Sequence, residues 1–163
     1  MMNKDELEKI VSSVVRESLE KAEINEINLS LAKKLALKVE LKAEEIGVKP
    51  VVAVANLGAR PVLVECTDDS YIASYDIALN KAFTSVSLKM PTKQLKGLAQ
   101  PGEPLYGIQF TNGGQIVVFG GGVPLVYGGR IIGGLGVSGG SEEQDTFLAD
   151  YGAEILDEVI KTL

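Results

Sequence analysis

The chain has no histidine, no tryptophan and a single cysteine, Cys66. Without histidine there is no Ser-His-Asp or Cys-His catalysis and no zinc site that needs an imidazole. One cysteine allows neither an internal disulfide nor a thiolate cluster, which fits a reduced, cytosolic setting. A metal would have to be held by carboxylate or carbonyl oxygens or arrive inside a cofactor, and no metal site is assigned. Cys66 ends the apolar run PVLVEC and is read as a small buried hydrophobe, because nothing in the chain would activate it as a nucleophile. A basic patch is also missing. With a formal net charge of -6, the phosphate backbone of a nucleic acid is excluded as a partner. The first residues are charged from Lys4 onward and lack the apolar core of a secretory signal. The charge-free stretch 104–129 is broken by glycines, so it reads as strands and turns rather than a membrane span.

What is present suits one compact domain with an appendage. Hydrophobic residues make up 45% and charged residues 23%, enough for a core without self-repulsion. In NKDELEKIVSSVVRESLEKA, the residues Leu7, Ile10, Val11, Val14, Val15 and Leu19 recur at helical spacing as one narrow stripe. Asn3 and Glu6 match a capping box. A polar stretch, EINEIN, separates this helix from the next, which starts near Asn28 or Ser30, ends at Gly47 and turns Leu31, Leu35, Val39, Ala43 and Ile46 inward. VVAVANL and PVLVEC are β-branched strands joined by the short link GAR as a hairpin.

Asp69 or Ser70 is expected to cap a third helix, with Tyr71, Tyr75, Ala78, Leu79, Ala82, Phe83 and Val86 on its buried face. Pro91 ends it and opens the helical turn PTKQLKGL. After the loop QPGEP come four strand candidates: YGIQF, QIVVFG, VPLVYG and RIIGGLGVSG. A Gly-Gly turn in VYGGR links the last two. Ser141 caps the final helix with Gln144 at its third position, and Phe147, Leu148, Tyr151, Ile155, Val159 and Ile160 face the core. Hairpins outnumber crossovers, so the expected fold is α+β, an antiparallel sheet covered by helices.

Gly134, Gly136 and Gly139 spell G-x-G-x-x-G. A dinucleotide fingerprint needs a second parallel strand after the helix, and the chain stops at Leu163. These glycines also begin inside the strand, where they let another backbone, a helix or a ligand come close. Gly120, Gly121 and Gly122, in FGGGVPL before Pro124, leave both turn-making and ligand-making open, with turn-making the favoured reading.

Taken together, the run from GVKPVVAVANLGARPVLVEC through DIALNKAFTSV, GGGVPL and GGRIIGGLGVSGGSEEQD resembles the GlcG/HbpS family, which includes the C-terminal domain of PduO-type corrinoid adenosyltransferases. The likeness covers residues 29–163. It implies a profilin-like α+β domain and a homo-oligomer, a dimer building into rings or octamers. It also implies haem binding in some members, and a redox-sensing accessory role in one branch. Adenosyltransferase chemistry is not implied, because it belongs to another domain. Where relatives hold haem through a histidine, the matching regions here carry Lys42 and Arg60, and Asn56 stands where an aspartate is common. Haem would bind through a tyrosine, methionine, lysine or cysteine, or without a strong axial ligand.

The resemblance also picks out Lys81 on the central helix as an anchor for a carboxylate or propionate; its other reading is a snorkelling surface side chain. The cofactor site expected from these features comprises Lys81, Asp76, Tyr75, Gly120, Gly121, Gly122 and Pro124, with haem or a corrinoid as its ligand and no catalytic residue assigned. Residues 1–21 resemble the encapsulation peptides of bacterial microcompartment cargo, followed by a linker over 22–28. Such a stripe docks into a partner's groove, on a shell or cargo protein, and orders as it binds; alternatively it packs on its own domain or on a symmetry mate. The leading expectation is a non-enzymatic accessory protein binding a flat cofactor in the lumen of a microcompartment in the cytoplasm. The rivals are an enzyme or redox helper using Lys81, Asp76 and Tyr75 on a small substrate, and an oligomeric scaffold.

Overall fold

The computed structural model describes residues 4–22 and 24–163, and the side chains of 4–15 and 24–163. The expected Asn3 cap and the Leu19 side chain lie outside the described residues. Six helices and four strands follow in the order α1 (Lys4–Ala22), α2 (Leu29–Glu45), β1 (Val51–Ala55), β2 (Pro61–Cys66), α3 (Ser74–Leu88), α4 (Thr92–Leu98), β3 (Gly122–Tyr127), β4 (Arg130–Ser138), α5 (Glu142–Glu154) and α6 (Leu156–Ile160). The strands form one sheet in the order β2-β1-β4-β3, and every pairing is antiparallel. The α+β class is as expected.

The two faces of the sheet are built differently. One face carries Val52, Val54, Leu125, Ile132, Leu135 and Val137. It meets Leu31, Leu35 and Val39 of α2, Leu148 of α5 and Leu156 of α6 in the main core. Alternation puts Val52 and Val54 of β1 and Leu135 and Val137 of β4 on this face, and a register shift where β4 pairs β3 brings Ile132 to it as well. The other face carries Val51, Ala53 and Ala55 and packs against Ala78, Ala82 and Val86 of α3. A Cβ built on Gly134 would lie 2.9 Å from the Ala82 carbonyl, and one on Gly136 would strike the Ala78 carbonyl and lie 2.6 Å from the Ala82 nitrogen. The strand glycines therefore serve the close approach of a helix, one of the uses the sequence left open.

Helix ends follow local rules. Asn28 caps α2 by accepting from the Leu31 N–H at 2.9 Å. Ser141 and Gln144 form the expected capping box on α5. The third helix is a correction: it begins at Ser74, behind an uncapped Ala73. Tyr71 and Tyr75 are exposed rather than buried, because only small side chains fit between α3 and the sheet. Ile46 and Phe147 are likewise exposed.

Two of the expected strands are absent. Gly107 takes a left-handed φ of 88°, and Ile108–Phe110 winds into a 3-10 turn, so YGIQF does not extend. QIVVFG runs beside α3 with no strand partner. There the Thr84 hydroxyl, which donates to the Asn80 carbonyl of its own helix at 2.7 Å, accepts the Val117 N–H at 3.0 Å, so a side chain takes one of the bonds a ladder would supply. Cys66 is exposed, contrary to its expected burial, because it ends the edge strand β2.

α1 belongs to neither packing layer. All its described side chains, residues 4–15, are exposed. On α2, Glu40 faces Glu65 of β2; burial and the neighbouring carboxyl raise the Glu40 pKa above the ordinary glutamate value.

Candidate functional site

The most polar point of the interior lies where α3, β4, the glycine turn before β3 and the start of α5 converge. Lys81 projects there from α3 with 0% of its surface exposed, and Asp145 from the first turn of α5 is 4% exposed. The Lys81 Nζ donates to Asp145 Oδ2 at 2.8 Å and to the Val137 carbonyl at 2.8 Å. It also sits 5.1 Å from the centre of the Phe119 ring, within range of a cation–π contact. Asp145 Oδ1 accepts the Gly139 N–H at 3.0 Å and the Gly140 N–H at 2.9 Å. Each charge is thus matched in full, which burial demands. Burial pushes the Lys81 pKa below the ordinary lysine value, and Asp145 and Glu142 oppose that shift.

The glycine run closes over this pair. Gly121 has a φ of 109°, and a Cβ there would lie 2.6 Å from Lys81 Nζ. A Cβ on Gly122 would lie 2.6 Å from the Lys81 carbonyl, and one on Gly120 would strike the Thr146 hydroxyl. Glu142 fastens the turn by accepting the Gly120 N–H at 3.0 Å and pairing with Lys96. Both contacts, Lys96 first, hold its carboxyl below the ordinary range.

Of the residues read from the sequence as a cofactor site, Lys81, Gly120, Gly121 and Gly122 come together, in an interior that protein atoms fill. Pro124 lies in β3 opposite Gly134, on an edge strand where a missing N–H is tolerated. Tyr75 and Asp76 lie on the exposed side of α3. Asp145, which holds the lysine, was missed; its signal was an aspartate at the fourth position of a helix whose start was already marked by Ser141.

Open space lies just outside. A cleft of about 290 Å3 is lined by Tyr71, Ser74, Ile77, Phe119, Ser138 and Glu142, among others. A second, of about 500 Å3, is lined by Val48, Lys49, Asp69, Ser141 and Gln144, and shares Tyr71, Gly139 and Gly140 with the first. Tyr71, 72% exposed, therefore stands between two connected hollows. It carries a phenol, a ligand type known for haem iron. Ile77, Phe119 and Val48 offer apolar wall, and Lys49, paired with Asp69 at 2.8 Å, lies at the rim. Among the described residues, no cluster of acidic or cysteine side chains could hold a metal ion, and no helix is long and apolar enough to cross a membrane.

The model of the family described as haem-degrading protein HbpS-like matches residues 27–154. The chain belongs to the HbpS-like family. A 15.0 kDa protein from the dhaT-dhaS intergenic region of Citrobacter freundii is 44% identical over 137 residues, 84% of this chain and 96% of that protein. The corrinoid adenosyltransferase PduO of Citrobacter freundii is 37% identical over 110 residues. That match covers 68% of this chain but only 33% of PduO, so the chain spans about a third of this larger relative. Among solved structures, Klebsiella pneumoniae protein ORFY superposes with a TM-score of 0.79 at 41% identity, covering 80% of this chain and 90% of that one. A complex of PduOC with heme gives 0.76 at 32% identity, covering 79% and 94%. A double mutant of Streptomyces reticuli HbpS gives 0.72 at 29%, covering 80% and 87%.

The HbpS-like match takes in the Lys81–Asp145 pair, the glycine turn and both hollows. α1 lies outside it.

Proposed function

We propose that this protein is a haem-binding accessory protein that holds the macrocycle in the paired clefts around Tyr71. The observation that carries the reading is Tyr71 itself. In a chain without histidine, it is an exposed phenol lining both clefts, beside the aromatic face of Phe119 and the cation of Lys49. Family membership and the likeness to a PduOC structure determined with heme supply the ligand class. Tyr71 would hold the iron, Phe119 and Ile77 would pack against the ring, and Lys49 would meet a propionate. When bound, the group would supply redox and ligand-binding chemistry at its iron. Lys81 and the glycine turn lie behind the clefts, and Asp145 forms part of the lining of the smaller one.

The protein would act as a homo-oligomer in the lumen of a cytoplasmic bacterial microcompartment, with residues 1–21 as its address. The exposed stripe of α1 and its position outside the family match support that part. Titration with haemin tests the site. We expect a saturable, shifted Soret band, and Tyr71→Phe should weaken binding by about tenfold or more and move the band. An unshifted spectrum of free haemin would overturn the reading. Bleaching of the band with time would favour haem degradation, the activity named in the family description. Cobalamin in a parallel titration tests the corrinoid alternative.

A further inference from the structure

Asparagine followed by glycine occurs once in the chain, at Asn112–Gly113. The pair sits in the turn between Phe110 and the segment beside α3, and residues 111–114 are all exposed. Asn112, Gly113 and Gly114 take left-handed φ values of 50°, 66° and 81° in succession, a region asparagine tolerates better than most residues. Nothing lies within 4 Å of a Cβ built on either glycine. The Gly113 N–H has no acceptor among the described residues, while the Gly114 N–H reaches the Thr111 carbonyl at 2.9 Å and the Gln115 N–H the Asn112 carbonyl at 3.3 Å. The Thr111 hydroxyl lies 3.0 Å from Asn112 Oδ1. It gives its one hydrogen to the Ile108 carbonyl at 2.6 Å, so it does not pin the Asn112 amide. The other described asparagines are tied down. Asn28 Oδ1 accepts the Leu31 N–H and Asn25 Oδ1 accepts from Arg130. Asn56 Oδ1 accepts the Arg60 N–H, and the Leu57 N–H that follows it is held by Glu26. Asn80 lies inside α3, where the next N–H belongs to the helical ladder.

We infer that Asn112 is a self-modification site, at which the Gly113 nitrogen turns the side-chain amide into an acid. That nitrogen attacks the Asn112 Cγ. A C–N bond forms and closes a five-membered succinimide, the Cγ–Nδ2 bond breaks, and ammonia leaves with the hydrogen of the Gly113 nitrogen. Water then opens the ring at either carbonyl and leaves aspartate or isoaspartate. Ammonia is exchanged for water, and nothing is oxidised or reduced. Glycine suits the step because no Cβ shields its nitrogen or restricts its rotation, and exposure supplies the water. The product carries one negative charge more than the formal -6, placed within the charge-free stretch 104–129. In isoaspartate the main chain also gains a carbon, which puts the two turn bonds around Gly113 out of register. The turn leads directly into Ile116, which is buried, and Val117, which Thr84 holds on α3. Modification therefore loosens this segment.

The full chain, aged in mildly alkaline buffer and then digested for peptide mass mapping, tests the site. We expect Asn112 to become acid at least about ten times faster than Asn25, Asn28, Asn56 or Asn80, with both isoaspartate and aspartate formed. The rate in the native protein should stay within about tenfold of the rate in urea, because the turn leaves the reacting groups open. Comparable rates at all these asparagines would overturn the inference. So would aspartate without isoaspartate, the mark of direct hydrolysis, or a native rate far below the rate in urea, which would show that the fold protects the pair. Asn112→Gly fits the left-handed backbone, so the fold is retained. It should abolish the acidic band that ageing adds on isoelectric focusing, and a band that persists would place the modification elsewhere.

Discussion

Replacing Lys81 with alanine should destabilise the protein by about 3–5 kcal/mol, read as a fall in the denaturant midpoint. The change removes the counter-charge from Asp145, which is only 4% exposed. It also strips the Val137 carbonyl of the donor it receives at 2.8 Å. The cost comes from the charge left behind more than from the pair that is lost. Lys81→Met combined with Asp145→Asn should therefore recover more than half of the loss. The amide oxygen can still accept from Gly139 and Gly140, and no charge remains buried. A Lys81→Ala protein as stable as the parent would show that the pair contributes nothing. Loss of any activity in Lys81→Ala alone would not mark the lysine as catalytic, because the fold is damaged in the same step.

Gly136→Ala should be at least as severe, costing about 3 kcal/mol or more or yielding no folded protein. The added methyl meets the backbone of α3 at Ala78 and Ala82, and backbone has no rotamer with which to move aside. Gly97→Ala is the matching control. It lies in α4 with nothing within 4 Å of the new Cβ, so it should stabilise by up to about 1 kcal/mol through helix propensity and a less flexible unfolded chain. Urea midpoints of the two variants, measured side by side, should move in opposite directions. Movement in the same direction would remove the close-approach account of the strand glycines.

The contrast between these glycines shows what could be read from the sequence. Local signals served well: the Ser141–Gln144 box, the Asn28 cap and the alternating strands β1 and β4 each follow from residues within one turn or one strand. Longer-range constraints did not show. Helical periodicity rightly turned Ala78, Ala82 and Val86 of α3 inward but added Tyr71 and Tyr75, which are exposed. The sheet α3 meets is lined with glycine and alanine, so its inward face is completed by Lys81 and Ser85 instead. QIVVFG has the composition of a strand, yet no neighbour remained to pair with it, and the Thr84 hydroxyl accepts its Val117 N–H instead. Lys81 could be singled out, but its partner lies 64 residues away and only the tertiary fold brings them together. The open clefts are set by Tyr71, a residue that periodicity had placed inside.

The seam between α3 and β4 also limits what second mutations can repair. In the main core, an enlarged side chain can be offset by trimming a neighbour such as Leu35 or Leu148. At Gly136 the neighbours are the main chain of Ala78 and Ala82, and there is nothing left to trim. Genetic suppressors of damage at Gly136 should therefore map to distant stabilising sites, whereas Gly134 also meets the Val86 and Ser85 side chains and leaves room for a local repair.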